Sequence, residues 1–256
     1  MKTNNILVKQ AWLAWGVFIL FNILLNGTIP FLLGRDLSAW TASPLKNLLF
    51  NFIQYSVMFL VIPLILTKGW DVIRQPTFLI PLTIAILAMT LRTFVRPVST
   101  IAVLVLAWLH YRHDLSELGF RSSGWRGDVV VILLMGFLGV VQSLLRMDGF
   151  SFTPVPALIA GLDRMFANPG STTEYIFYFG FLAERLNAKF GKWTALLIGS
   201  MYTLHEMTNP EYWYEGSSFP LIFVGIASIT VLYIWRRNVV AIWLGDGLGR
   251  FLSQLF

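Results

Sequence analysis

The chain has 256 residues, of which 56% are hydrophobic and only 12% charged, with a mean hydropathy of +0.68; a soluble domain carries about 25% charged residues, so lipid is the expected solvent for most of this surface. The net charge of +6 comes from basic residues in short stretches between apolar runs, where they set membrane orientation rather than contact nucleic acid. Cysteine is absent, which excludes disulfides, thiolate catalysis and cysteine-ligated metals.

A spanning helix needs about 20 apolar residues. Runs of that kind, bounded by charges or by Gly and Pro, fall near residues 11 to 34, 48 to 67, 76 to 92, 96 to 111, 128 to 146, 170 to 187, 192 to 207, 218 to 235 and 239 to 256. The expected fold is all-α, a polytopic transmembrane helical bundle of about eight or nine spans in one integral membrane domain covering 1 to 256. The first run follows Lys2 and Lys9 and ends in Asn26-Gly27-Thr28-Ile29-Pro30 rather than a small-residue cleavage site, so it reads as a retained span. Residues 1 to 110 read as scaffold helices. With a cytoplasmic N-terminus, 12 of the 19 basic residues lie inside and 7 outside, which favours that orientation. The stretch from Asp148 to Gly170, broken by Pro154, Pro156 and Pro169, reads as interfacial or re-entrant. Tyr212, Trp213, Tyr214 and Trp235 read as an interfacial aromatic belt.

Ionisable side chains are unfavourable in hydrocarbon and therefore mark functional candidates. The first five runs hold almost none; the last four hold Glu174, Glu184, His205, Glu206, Asp246 and Arg250. Glu174 ends Ser171-Thr172-Thr173-Glu174, which is equally a capping box at a helix start. Glu184, next to Arg185 and a loop, is expected to be solvated or interfacial. His205 stands near a helix end at Asn209-Pro210, where it either serves a site or hydrogen-bonds the last carbonyls. Glu206 points about 100° away from His205 around a helix and reads as an interfacial carboxylate. Asp246 lies inside the last run, in Gly245-Asp246-Gly247-Leu248-Gly249-Arg250, with Arg250 four residues on as a structural ion-pair partner. The glycines permit close helix approach.

Known intramembrane chemistries narrow the choice. A zinc H-E-x-x-H site needs a histidine where Asn209 stands, and the chain has only 3 histidines, which argues against zinc of that type; no cofactor or metal is expected. A presenilin-like aspartyl pair and a rhomboid-like G-x-S-G serine motif are also missing. A glutamate and a histidine that together polarise water remain.

That pair, with the segments around it, resembles the CAAX-protease and bacteriocin-processing (CPBP or Abi) family of glutamate-type intramembrane proteases, over residues 111 to 256. Leu118-Gly119-Phe120 is similar to the short segment these proteins carry before a span. The run from Glu174 to Leu182 is similar to their E-E-x-x-x-R-G-x-L, and Phe190-Gly191-Lys192-Trp193 to their F-G-x-W turn. The resemblance implies Glu174 as the water-activating glutamate and His205 as its histidine. Tyr175 stands at the second glutamate position, Phe179 at the arginine position, and Met201 replaces the aromatic before His205. The family's final histidine motif has no counterpart, which leaves Asp246 and Asn209 to supply parts of it. The expected function is hydrolysis of a peptide bond in or beside a bacterial-type plasma membrane. The alternative is a catalytically inactive scaffold of the same fold that binds and regulates another membrane protein. Expected partners are membrane lipids and a membrane protein or peptide, and no nucleic acid.

Overall fold

The computed structural model describes residues 2–32, 49, 61–76, 78–80, 82, 83, 87, 116, 119–121, 124–144, 174–209 and 219–252. Among these the regular structure is helical, with no strand. The principal helices are α1 (Lys2–Ile23), α2 (Ile62–Lys68), α3 (Trp125–Leu144), α4 (Glu184–Phe190), α5 (Thr194–Met207), α6 (Phe219–Arg236) and α7 (Val239–Leu252). A π-helical segment, Ile176–Ala183, leads directly into α4. Two stretches are long and apolar enough to cross a membrane, Asn4–Thr28 with 25 residues and Phe219–Arg236 with 18, about 38 and 27 Å at 1.5 Å per residue. The expected runs at 76 to 92, 96 to 111 and the re-entrant stretch 148 to 170 lie wholly or mostly outside the described residues, as do Tyr212 to Tyr214.

Local sequence explains several boundaries. In α1 the helix widens into π turns over Leu24–Thr28, just before Pro30, which has no N–H to give to the ladder. Pro63 occupies the first turn of α2, where a missing N–H does no harm. Gly69, at φ +84°, ends α2 and returns its N–H to Ile65 at 2.8 Å. Asn238 starts α7 by accepting the N–H of Val240 at 3.0 Å on its side-chain oxygen.

The segment Ile176–Ala183 is buried at every position. A helix apolar all round belongs at the centre of a bundle, and α1, α5, α6 and α7 pack around it. Helix α1 runs antiparallel to this central segment: Asn4 donates to the Ala188 carbonyl at 3.2 Å, and further along α1 Phe18 meets Phe177 with ring centres 5.1 Å apart. It runs parallel to α5, since Trp15 meets Met201 and Phe18 meets His205.

Helices α3 and α7 form the closest pair and also run parallel. Asp128 meets Asn238 at 2.9 Å, Met135 meets Gly245, and Gly139 meets Gly249. A Cβ on Gly245 would sit 2.5 Å from the Met135 Cβ, and one on Gly139 would sit 2.6 Å from the Gly249 Cα. The glycines therefore let the two backbones touch.

Candidate functional site

Among the described residues, two polar clusters stand out, one at each end of the central helix. Ten residues separate Glu174 from Glu184, about 15 Å along an α-helix, and the buried aromatic segment lies between them.

At the first end, Glu174 accepts a hydrogen bond from the Tyr202 hydroxyl of α5 at 3.0 Å. Glu206, one turn beyond Tyr202 on the same face of α5, is buried and lies within electrostatic reach of Glu174. Asp246 and Arg250 of α7 lie within the same reach. Arg250 donates to Asp246 at 2.7 Å, and the buried Tyr175 phenol lies against that carboxylate. Three carboxylates, one guanidinium and two phenols thus gather from three segments of the bundle. Among the described residues no group of three or more His, Cys, Asp or Glu is placed to hold a metal ion.

The expected site residues divide by position. Glu174 and Asp246 lie within electrostatic reach of one another, with no hydrogen bond between them among the described residues. His205 is buried one ring away: its imidazole is enclosed by Phe18 at 4.6 Å, Tyr202 at 5.9 Å and Tyr178 at 6.1 Å between ring centres. Tyr202 is the side chain that touches both Glu174 and His205. Asn209 lies past the last turn of α5, where its N–H closes the helix onto the Glu206 carbonyl at 3.0 Å. The capping-box partners Ser171 to Thr173 fall outside the described residues.

Two expectations are corrected. Glu206 is not an interfacial carboxylate, because α5 turns it inward beside Glu174. Of the two places expected for Glu184, solvated or interfacial, the first is overturned: its side chain is 8% exposed and forms an ion pair with Arg237 at the helix-end corner. It also accepts from the Arg237 Nε at 2.8 Å and from the Tyr233 hydroxyl at 2.9 Å. The i, i+4 spacing of Tyr202 and Glu206 was the available sign that these two share a face.

The second end is built from the α6–α7 corner. Arg236 donates to Asp128 at 3.3 Å and to the Gly124 carbonyl at 2.8 Å. Arg237 takes a left-handed backbone, φ +54°, which side chains other than glycine adopt rarely. Burial, and then the neighbouring Arg121, hold its guanidinium below the usual arginine pKa, and Glu184 is the carboxylate that anchors it. The Val239 N–H donates to the Gly119 carbonyl at 2.7 Å, so the Gly119-Phe120 segment docks on this corner. Gly119 sits at φ +75°, with the Tyr233 hydroxyl where a Cβ would stand. This cluster closes the fold; its carboxylates are consumed in ion pairs.

Compared with protein-family models, with curated protein sequences and with solved structures, the chain matches none.

Proposed function

We propose that the chain is a polytopic membrane protein of about eight or nine spans, with its N-terminus on the cytoplasmic side of a bacterial-type plasma membrane, and a divergent relative of the CPBP glutamate-type intramembrane proteases. Its reaction in this reading is hydrolysis of a peptide bond in or beside the bilayer. The observation that carries the proposal is the gathering of Glu174, Tyr202, Glu206, Asp246 and Arg250 at one end of a buried aromatic helix. Intramembrane ionisable groups that gather in this way mark function.

Glu174 is the general base. It takes a proton from water as the water oxygen attacks the scissile carbonyl, and returns that proton to the departing amine. Tyr202 orients the Glu174 carboxylate through its hydroxyl. His205, packed against Tyr202, supports the same corner, and Asp246 holds the Arg250 guanidinium where charge develops on the carbonyl oxygen. Asn209 takes a secondary place at the mouth of α5. The two family positions filled here by Tyr175 and Phe179 have spatial replacements: Glu206 for the second carboxylate and Arg250 for the arginine.

A second reading, an inactive scaffold that binds another membrane protein, is favoured by one specific feature. Asp246 is already engaged by Arg250 at 2.7 Å and by Tyr175, as a structural ion pair would be. The deciding experiment reconstitutes the protein in liposomes with a library of quenched-fluorescent transmembrane peptides. Cleavage that disappears in Glu174→Gln supports the hydrolase. Cleavage that survives the substitution, or none from any peptide, leaves the scaffold reading in its place.

A further inference from the structure

The end of the bundle that carries the α6–α7 corner has an outward composition of its own. Trp125 opens α3 and is 70% exposed, Trp193 opens α5 and is 60% exposed, and Trp235 ends α6 and is 57% exposed. Each has a basic residue as its neighbour. Arg126 lies 5.7 Å from the Trp125 ring centre, Lys192 5.8 Å from Trp193 and Arg236 5.5 Å from Trp235. Lys189 stands over Phe190 in the same way, at 5.6 Å.

These elements share one end because the ion pairs described above join them. Arg236 ties the end of α6 to the start of α3, and Arg237 ties the same corner to α4. The Lys192-Trp193 turn follows α4 by one residue.

Charge then distinguishes the two ends. Among the described residues, the carboxylates that α3 and α4 place at this corner, Asp128 and Glu184, are taken up by Arg236 and Arg237. Arg126, Lys189 and Lys192 remain exposed at the surface. At the opposite end the described charges are Glu174, Glu206 and Asp246 against Arg250. An amphipathic ring sits best where hydrocarbon meets headgroup, and a cation beside it at that depth meets the phosphate.

We infer that this end is a docking surface for the headgroups of anionic phospholipids, with Arg126, Lys189 and Lys192 taking phosphate and Trp125, Trp193 and Trp235 setting depth in the interface. The inference rests on the membrane reading but not on the protease reading. The occupant follows from charge complementarity: three exposed cations with neutralised carboxylates behind them attract the anionic leaflet.

The test uses the full chain purified in a neutral detergent and titrated with dioctanoyl phosphatidylglycerol, followed by tryptophan fluorescence and by native mass spectrometry. A cation near an anionic surface contributes about a fivefold change in affinity. The variant R126Q/K189Q/K192Q is therefore expected to bind phosphatidylglycerol at least tenfold more weakly, with its melting temperature in detergent unchanged. Its binding of dioctanoyl phosphatidylcholine should match that of the parent. Equal phosphatidylglycerol binding by parent and variant overturns the inference, as does equal binding of the two lipids by the parent. A chain extracted from membranes by carbonate would fail the membrane reading itself, a separate and distinguishable result. If the triple variant melts early, the single variant K192Q is titrated instead, and an affinity unchanged from the parent refutes the proposal.

Discussion

Substituting Gly139 by alanine tests the closest approach in the bundle. The added Cβ would lie 2.6 Å from the Gly249 Cα and 3.1 Å from its carbonyl carbon, whereas carbon atoms rest at about 3.5–4.0 Å. The shortfall is about 1 Å against backbone, which cannot rotate aside as a side chain does. Helices α3 and α7 must separate, and the Asp128–Asn238 and Met135–Gly245 contacts open with them. Overpacking of this kind destabilises by about 1–3 kcal/mol, and the rigid obstacle places Gly139→Ala at about 2–3 kcal/mol. For a chain of this length that corresponds to a fall of roughly 4–12 °C in melting temperature. The assay is thermal unfolding in detergent, followed by circular dichroism and by loss of the monodisperse peak. Gly16→Ala is the control, because a Cβ there meets nothing within 4 Å, so its melting temperature should hold or rise slightly. If Gly139→Ala melts with the control, the parallel α3–α7 register is wrong.

Glu184→Ala and Arg237→Ala should each destabilise, and their double-mutant cycle should show coupling of about 1–2 kcal/mol, below the ~3–5 kcal/mol of a fully buried pair because the Arg237 side chain is 42% exposed; additivity would show that the pair contributes nothing. Asp128→Ala leaves Arg236 and Asn238 without their shared acceptor and should lower stability by about 1.5–3 kcal/mol in denaturant titration, while Asp128→Asn recovers part of it. In any peptide-cleavage assay, Glu174→Gln should lower turnover by about 10²–10⁴, and Tyr202→Phe by less, because it removes only the hydroxyl on Glu174; equal losses would assign Tyr202 a larger part. Because the chain has no cysteine, a single cysteine placed at Lys192 should react with an impermeant maleimide only after right-side-out cells are opened, and labelling of intact cells would reverse the proposed orientation.

Composition and hydropathy made the helical class legible, and the runs at 192 to 207, 218 to 235 and 239 to 256 match α5, α6 and α7 to within a few residues. Glu174 and Asp246 stood out because polar atoms in apolar runs need a reason, and the fold sets them within electrostatic reach of one another. What the sequence hid follows from angle and distance. A helical step of 100° separates His205 from Glu206, but which of the two faces Glu174 depends on where α5 packs. The π turns of Ile176–Ala183 change the angular step between side chains, so an α-helical phase carried from Glu174 misplaces Glu184. The Glu184–Arg237 pair spans 53 residues, and Asp128 meets Arg236 across 108; periodicity carries no information at those separations. Tyr175 read only as a missing glutamate, yet its phenol reaches the Asp246 carboxylate across helices.

The buried rings of Phe177, Tyr178, Phe179 and Phe181 also act as an electrical insulator. Glu174 and Glu184 share one helix, and between them its side chains carry no charge and only two polar groups, the phenols of Tyr175 and Tyr178. A catalytic pocket in a bilayer must admit water without short-circuiting the ion gradients the cell maintains. In the proposed membrane reading, the potential across the bilayer would fall over this aromatic segment rather than along a charged path between the two carboxylates.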